Sequence, residues 1–157
     1  MLLSQLYEEL NAAPRWILAI DGNCCAGKST FAAQLAERFS ATVFHMDDFF
    51  LRPEQRTAER LAAPGGNVDH ERFRAEVLLP LTRGADVRLR RFDCGARRLL
   101  DARIGPFHPR VIVEGSYSLH PALWELYDRR FLLTVDPAVQ RQRLLAREGA
   151  SRAERFL

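Results

Sequence analysis

Residues 22–29 read Gly22-Asn23-Cys24-Cys25-Ala26-Gly27-Lys28-Ser29 and fit the pattern G-x-x-x-x-G-K-[ST]. Before them runs Trp16-Ile17-Leu18-Ala19-Ile20, a short apolar stretch of the kind buried parallel strands carry, closed by Asp21-Gly22. After them a helical pattern extends from about Lys28 to Phe39, with Phe31, Leu35 and Phe39 aligned. Strand, glycine-bounded loop and helix in this order is the context in which such a loop turns backbone N–H groups inward and holds phosphate oxygens at a helix N-terminus. Gly22 and Gly27 supply the backbone freedom. The Lys28 ammonium, a compact charge on a flexible stem, would bridge the β- and γ-phosphates, and the Ser29 hydroxyl is a hard oxygen suited to Mg²⁺. Nucleotide contacts are therefore expected from Gly22, Asn23, Cys24, Cys25, Ala26, Gly27, Lys28, Ser29 and Thr30. A glycine-rich strand-to-helix turn without a ligand is the plainer alternative. Cys24 and Cys25 fill variable positions of the pattern, and a thiol beside a helix N-terminus is open to oxidation; simple filler is the other reading.

The 157 residues, 47% of them hydrophobic, suit a single domain over 1–157 with a sizeable core. Lys and Arg total 23 against 20 acidic residues, an excess of three, too small to imply a nucleic-acid partner. Twenty-two of the basic residues are arginine, so the one lysine of the chain, Lys28, is the one inside the loop. Cys24, Cys25 and Cys94 match neither a disulfide framework nor a zinc spacing, and His45, His70, His108 and His120 read as structural or surface residues. No stretch approaches the roughly 18 apolar residues of a membrane span, and Glu8 and Glu9 stand where a signal peptide would be basic. A cytoplasmic location and a small-molecule partner, with neither nucleic acid nor membrane, are expected; oligomeric state stays open.

Outward from the loop, Leu2, Leu3, Leu6 and Leu10 share a helical stripe over 2–11, closed by Pro14. A second strand over 42–46 runs into Asp47-Asp48, and 52–69 has the charge, Pro and Gly of an exposed functional loop. Helix is expected near 70–80, an edge strand over 87–92 and irregular chain over 95–109. Val111-Ile112-Val113 forms a third buried strand ending in Glu114-Gly115. A helix near 120–128, a strand over 131–135 and a closing helix with Pro137 in its first turn complete the pattern. Alternating strands and helices imply an α/β layered fold with a largely parallel sheet of about four core strands.

A GTPase would carry N-K-x-D, which needs a second lysine; no L-S-G-G-Q occurs, and the chain is short for ring-forming ATPases. A small-molecule kinase remains. It needs a carboxylate within reach of the γ-phosphate, and parallel strands beside the first deliver their C-terminal ends there. Asp47 would orient the acceptor hydroxyl and take its proton, with Asp48 beside it, while Glu114 would hold Mg²⁺ or its water shell. A solvated turn for the aspartates and a cap for Glu114 are the alternatives.

These elements resemble the uridine kinase and nicotinamide riboside kinase group of phosphate-loop kinases. The resemblance rests on Gly22 to Ser29, His45-Met46-Asp47-Asp48-Phe49-Phe50, Asn67-Val68-Asp69-His70, Phe92-Asp93 and Val113-Glu114-Gly115. It implies the three-layer P-loop NTPase fold, ATP and Mg²⁺ as cofactors, Asp47 as base and Glu114 as the Mg²⁺ assistant. It also implies Asp69 near the acceptor's ribose hydroxyls, Phe92 against its base and Arg98 near the acceptor pocket. Asp69 as a helix cap, Phe92 as core and Arg98 as a solvated arginine are the alternatives. Arg141, Arg143 and Arg147 lie where similar kinases have a basic lid; Arg143 and Arg147, spaced i, i+4, would stabilise the transferring phosphoryl group, or form a charged outer face. Chains of this group continue with another strand and helix, so the chain is C-terminally short relative to them and its last strand is expected to be missing. The expected activity is phosphorylation of a small metabolite, foremost the 5′-hydroxyl of a uridine- or cytidine-type ribonucleoside. A nucleotide-binding regulatory or remnant domain without phosphotransfer, and a nicotinamide riboside or pantothenate-type kinase, are the alternatives.

Overall fold

The computed structural model describes residues 3–149. Helix α1 (Leu3–Ala12) buries Leu6 and Leu10, the inner half of the leucine stripe; Leu2 lies outside the described residues. Strand β1 (Trp16–Gly22) follows, then α2 (Lys28–Phe39) and β2 (Thr42–His45), close to the sequence pattern. A 3₁₀ turn over Met46–Asp48 leads into the 52–69 loop, which contains the short α3 (Ala58–Ala62). Helix α4 (His70–Phe73), a π-helical segment (Arg74–Leu78) and α5 (Leu79–Thr82) then run on without a break. The widening has a cause in sequence: Pro80 has no N–H to give the carbonyl four residues back, and its ring crowds that carbonyl.

Strands β3 (Val87–Leu89), β4 (Phe92–Asp93), β5 (Arg98–Leu99) and β6 (Arg103–Gly105) form two small antiparallel ribbons, β3 with β6 and β4 with β5. The expectation of an edge strand over 87–92 and irregular chain over 95–109 is corrected here. Val87–Leu89 pairs outside the main sheet, and two- and three-residue strands are too short to show a period in sequence. The Asp93 carboxylate, accepting from Gly95 N (2.8 Å) and Ala96 N (2.9 Å), makes the turn between β4 and β5. Strand β7 (Arg110–Glu114) precedes a helix over Pro121–Leu126, of 3₁₀ type, within the 120–128 span where a helix is expected. Strand β8 (Arg129–Leu133) begins two residues before the expected 131–135, because Asp128 anchors it to β1: Asp128 N donates to Ile17 O and Ile17 N to the Asp128 carboxylate (2.7 Å). Helix α6 (Pro137–Glu148) starts at its proline, capped by Asp136.

The main sheet is parallel, in the order β2-β7-β1-β8. Both central strands are covered on both faces, which explains their unbroken apolar runs. Leu18, Ile20 and Ile112 face α1 and α2, packing on Leu6, Leu10, Leu35 and Phe39. Ile17, Ala19, Val111 and Val113 face the other layer, with Met46, Phe49, Phe73 and Val77. The result is three layers, helices on both sides of a parallel sheet, with β8 at one edge among the described residues. No helix among them is long and apolar enough to cross a membrane.

Candidate functional site

The carboxyl ends of β1, β2 and β7 converge, and the register sets which residues meet there: Ile20 lies beside Glu114, and Glu114 beside His45. The loop from Gly22 turns over these ends. Gly22 has φ +145°, and a Cβ there would lie 2.1 Å from the Leu133 carbonyl oxygen of β8, so only glycine lets the two backbones approach this closely. Gly27, at φ +94°, is the N-cap of α2 and has no side chain to cap it. The first bond of the helix ladder at this end is Phe31 N to Gly27 O (3.0 Å), so the N–H groups of Lys28, Ser29 and Thr30 precede it and face outward. An uncapped helix start with a positive dipole end suits an anion.

Lys28 Nζ donates to Gly22 O (2.8 Å) and Asn23 O (3.0 Å) and lies 3.4 Å from Ser116 Oγ. The Ser29 hydroxyl donates to one oxygen of Glu114 (3.1 Å), and His45 Nδ1 meets the other at 2.6 Å. Glu114 is buried. Burial pushes its carboxyl up, but His45, Ser29 and Lys28 together outweigh that, and it is held below the ordinary glutamate range. The hydrogen bond to Glu114 raises His45 in turn. A hydroxyl and a carboxylate 3.1 Å apart form a hard-oxygen pair, so Ser29 and Glu114 fit a Mg²⁺ ion beside phosphate. His45, expected to be structural or a surface residue, is part of this site through Glu114.

Asp47 follows β2 on the 3₁₀ turn and opens onto the same cleft, which has a volume of about 1440 Å³. Packing around its inner side pushes its carboxyl up, the Glu114 carboxylate adds to this, and Lys28 and His45 oppose. Phe50, Asn67 and Val68 form the wall beyond it. On the opposite side α6 lies over the loop: Gln140 donates to Cys24 O (3.0 Å), Arg143 to Cys25 O (3.1 Å), and Arg147 Nη2 lies 3.0 Å from Cys24 Sγ. Residues 22–30, Asp47, Glu114, Arg143 and Arg147 thus border one cavity. Arg141, by contrast, is solvent-exposed on α6 and does not border it.

The remaining sequence candidates lie outside the cleft lining. Asp48 is paired with Arg91 (2.7 Å), which joins the turn to β4. Asp69 is 2% exposed; it caps α4 through Arg72 N (3.1 Å) and binds Arg72 Nε (3.1 Å). Phe92 is buried in β4, and Arg98 is exposed on β5 across from Asp93. Other residues enter the site without having been singled out for it. Gln140 lies three residues before Arg143 and seven before Arg147, a spacing on one helical face that was open to detection. Asp21 accepts from Gly22 N (2.6 Å), Tyr117 N (3.0 Å) and Leu119 N (2.9 Å), stitching the loop to the segment after β7. In sequence it reads only as the end of a strand.

No protein-family model matches the chain, nor does any curated protein sequence. Solved structures do. One, described as a possible uridine kinase from Bacillus stearothermophilus, superposes with a TM-score of 0.67 at 23% identity, covering 98% of this chain and 88% of its own. Another, described as a putative fructose transport system kinase from Silicibacter sp. TM1040, gives 0.71 at 27% identity over 94% of this chain and 81% of its own. The parallel sheet with flanking helices agrees with these neighbours, and the fold of the chain is that of the phosphate-loop kinases.

Proposed function

We propose that the protein is an ATP- and Mg²⁺-dependent kinase that transfers the γ-phosphoryl group to a hydroxyl of a small metabolite, with the 5′-hydroxyl of a uridine- or cytidine-type ribonucleoside as acceptor. One observation carries the transfer reading: a lysine-bearing phosphate loop, the Ser29–Glu114 oxygen pair and the Asp47 carboxylate border a single cleft. The loop amides and Lys28 hold the phosphate chain, while Asn23, Cys24, Cys25 and Ala26 shape the loop and Thr30 extends its helical end. Ser29 and Glu114 would hold Mg²⁺, which when bound offsets phosphate charge. Asp47 receives the acceptor's proton as the hydroxyl oxygen attacks the γ-phosphorus, and the bond to the bridging oxygen breaks to release ADP. Its raised pKa strengthens it as a base near neutrality. Arg143 and Arg147, already beside the loop, supply charge to the transferring group. Asp48, Asp69, Phe92 and Arg98 are assigned to the acceptor side, Asp69 acting through Arg72 and Asp48 through Arg91.

The names of the two structural neighbours divide the acceptor between a nucleoside and a sugar, and both present a primary hydroxyl. Incubation with labelled ATP, Mg²⁺ and uridine, cytidine, nicotinamide riboside, pantothenate or fructose tests the reading. Label on uridine or cytidine is expected. Label on another acceptor would keep the kinase and change its substrate; phosphate released to water alone, with no acceptor labelled, would overturn phosphotransfer.

A further inference from the structure

The cleft wall carrying Asn67 and Val68 is held at two places. On its outer side the Arg60 guanidinium of α3 donates to Gly66 O (3.3 Å), Val68 O (3.0 Å) and both Glu71 oxygens (2.7 and 2.8 Å). On its inner side the His70 ring stacks on His120, with centroids 3.8 Å apart and planes 19° from parallel. Gly65 sits against the same surface, where a Cβ would meet the Tyr117 ring at 3.1 Å and His120 at 3.3 Å. His120 belongs to the segment whose Tyr117 and Leu119 amides bind Asp21 beside the phosphate loop. The stack therefore joins the Asp47 side of the cleft to the phosphate-loop side.

A guanidinium can only donate, so His70 Nδ1, 3.0 Å from Arg60 Nη2, is an acceptor. Ala122 N donates to His120 Nδ1 (3.2 Å), so that nitrogen is an acceptor too. Both imidazoles are then neutral, and protonating either Nδ1 displaces its donor and sets a cation against the other ring and Arg60. Glu71, 3.3 Å from His70 Nε2, favours the proton, as do Asp69 and the Val68 carbonyl. Burial and Arg60 oppose it, and His70 is held below the ordinary histidine range. His120 is lowered as well, by burial, His70 and Arg60 against Glu71. We propose that the His70–His120 stack is a proton-operated joint: in its neutral form it seats the Asn67–Val68 wall against the phosphate-loop side of the cleft, and acid releases that wall. The joint is independent of which acceptor is phosphorylated.

Hydrogen exchange on the whole protein, read by mass spectrometry and corrected for intrinsic rates, tests it at about pH 7.5 and about pH 5.5. Protection over residues 64–70 is expected to fall about tenfold or more in acid while that over β1 holds. His120→Phe keeps a flat partner for His70 and removes one of the two titrating rings, leaving His70 against Arg60, so its acid loss of protection is expected to be smaller than the parent's. An equal acid response in this variant, or no loss in the parent, overturns the proposal. Should the variant not fold, NMR titration of the parent decides: both imidazoles are expected to titrate below 6.5, and titration at or above that value overturns it.

Discussion

Replacing Gly22 by alanine isolates the closest backbone approach in the site. The added carbon would lie 2.1 Å from the Leu133 oxygen, 3.0 Å from its carbonyl carbon and 3.2 Å from its nitrogen, all backbone atoms that no rotamer change can move. Relief requires β1 and β8 to part by roughly 1 Å, at the Gly22–Leu133 end of their ladder. Overpacking of this kind costs about 1–3 kcal/mol, and a non-glycine residue at φ +145° roughly 1–2 kcal/mol more. The sum, about 2–5 kcal/mol, corresponds to a fall in Tm of roughly 5–15 °C for a domain of this size. Gly27→Ala is the control: its φ is +94°, but nothing lies within 4 Å of the added carbon, so only the torsional part is expected. Urea unfolding of the three proteins gives the stabilities, and calorimetry with magnesium nucleotide gives the affinities. Gly22→Ala should be the less stable variant and should lose affinity, because Gly22 O is a seat for the Lys28 ammonium. A Gly22→Ala protein within about 0.5 kcal/mol of the parent, with its affinity intact, would refute the close-approach argument.

Asp47→Asn is expected to keep magnesium-nucleotide affinity while turnover falls by about 10²–10⁴. Because the folded protein raises the Asp47 pKa, parent activity should be lost as pH falls through a value above the ordinary 3.8. The raised pKa also means that the ionised form opposes folding. Asp47→Asn should therefore be more stable than the parent at pH 7, with the gain vanishing below about pH 3.8, where the acid is protonated folded or unfolded; urea titrations at both pH values measure it. Lys28→Ala removes a cation from the phosphates and should weaken nucleotide binding about 10- to 100-fold by calorimetry, leaving the thermal midpoint near the parent's. Leu18→Ala, in a fully buried strand position, should cost about 2–5 kcal/mol in chemical denaturation without changing the catalytic pH profile.

Sequence resolves this protein where local pattern and tertiary environment agree. Strand β1, the loop and α2 are legible because an apolar run, two glycines and a helical stripe lie next to one another. Glu114 is legible because it ends another apolar run on a strand that pairs with β1. The small ribbons are not legible, since their partners are set by contacts beyond a few residues. Nor is His45: only the β2–β7 register brings its ring beside Glu114. Asp69 shows the reverse limit. Its placement before a helix predicts a cap, and the cap is present, but the Arg72 side chain that takes its second oxygen depends on how the helix packs over Phe49.

The imbalance of one lysine to 22 arginines acquires a physical meaning from these contacts. At least five of the guanidiniums are tied to backbone carbonyls between elements: Arg60 to Gly66 and Val68, Arg72 to Arg90, Arg110 to Phe39, Arg130 to Trp124 and Tyr127, Arg15 to Leu81. A planar fork with five donors suits several fixed acceptors at once, and its charge is then spent inside the fold. The task at the loop is different. In the proposed reaction the Lys28 ammonium would leave Gly22 O and Asn23 O and follow a phosphate, which suits a compact charge on four methylenes. Lys28→Arg should therefore bind nucleotide less well than the parent although charge is conserved, whereas Arg60→Lys should fail through loss of simultaneous carbonyl contacts. The two substitutions are chemically alike, and opposite mechanical demands make both of them costly.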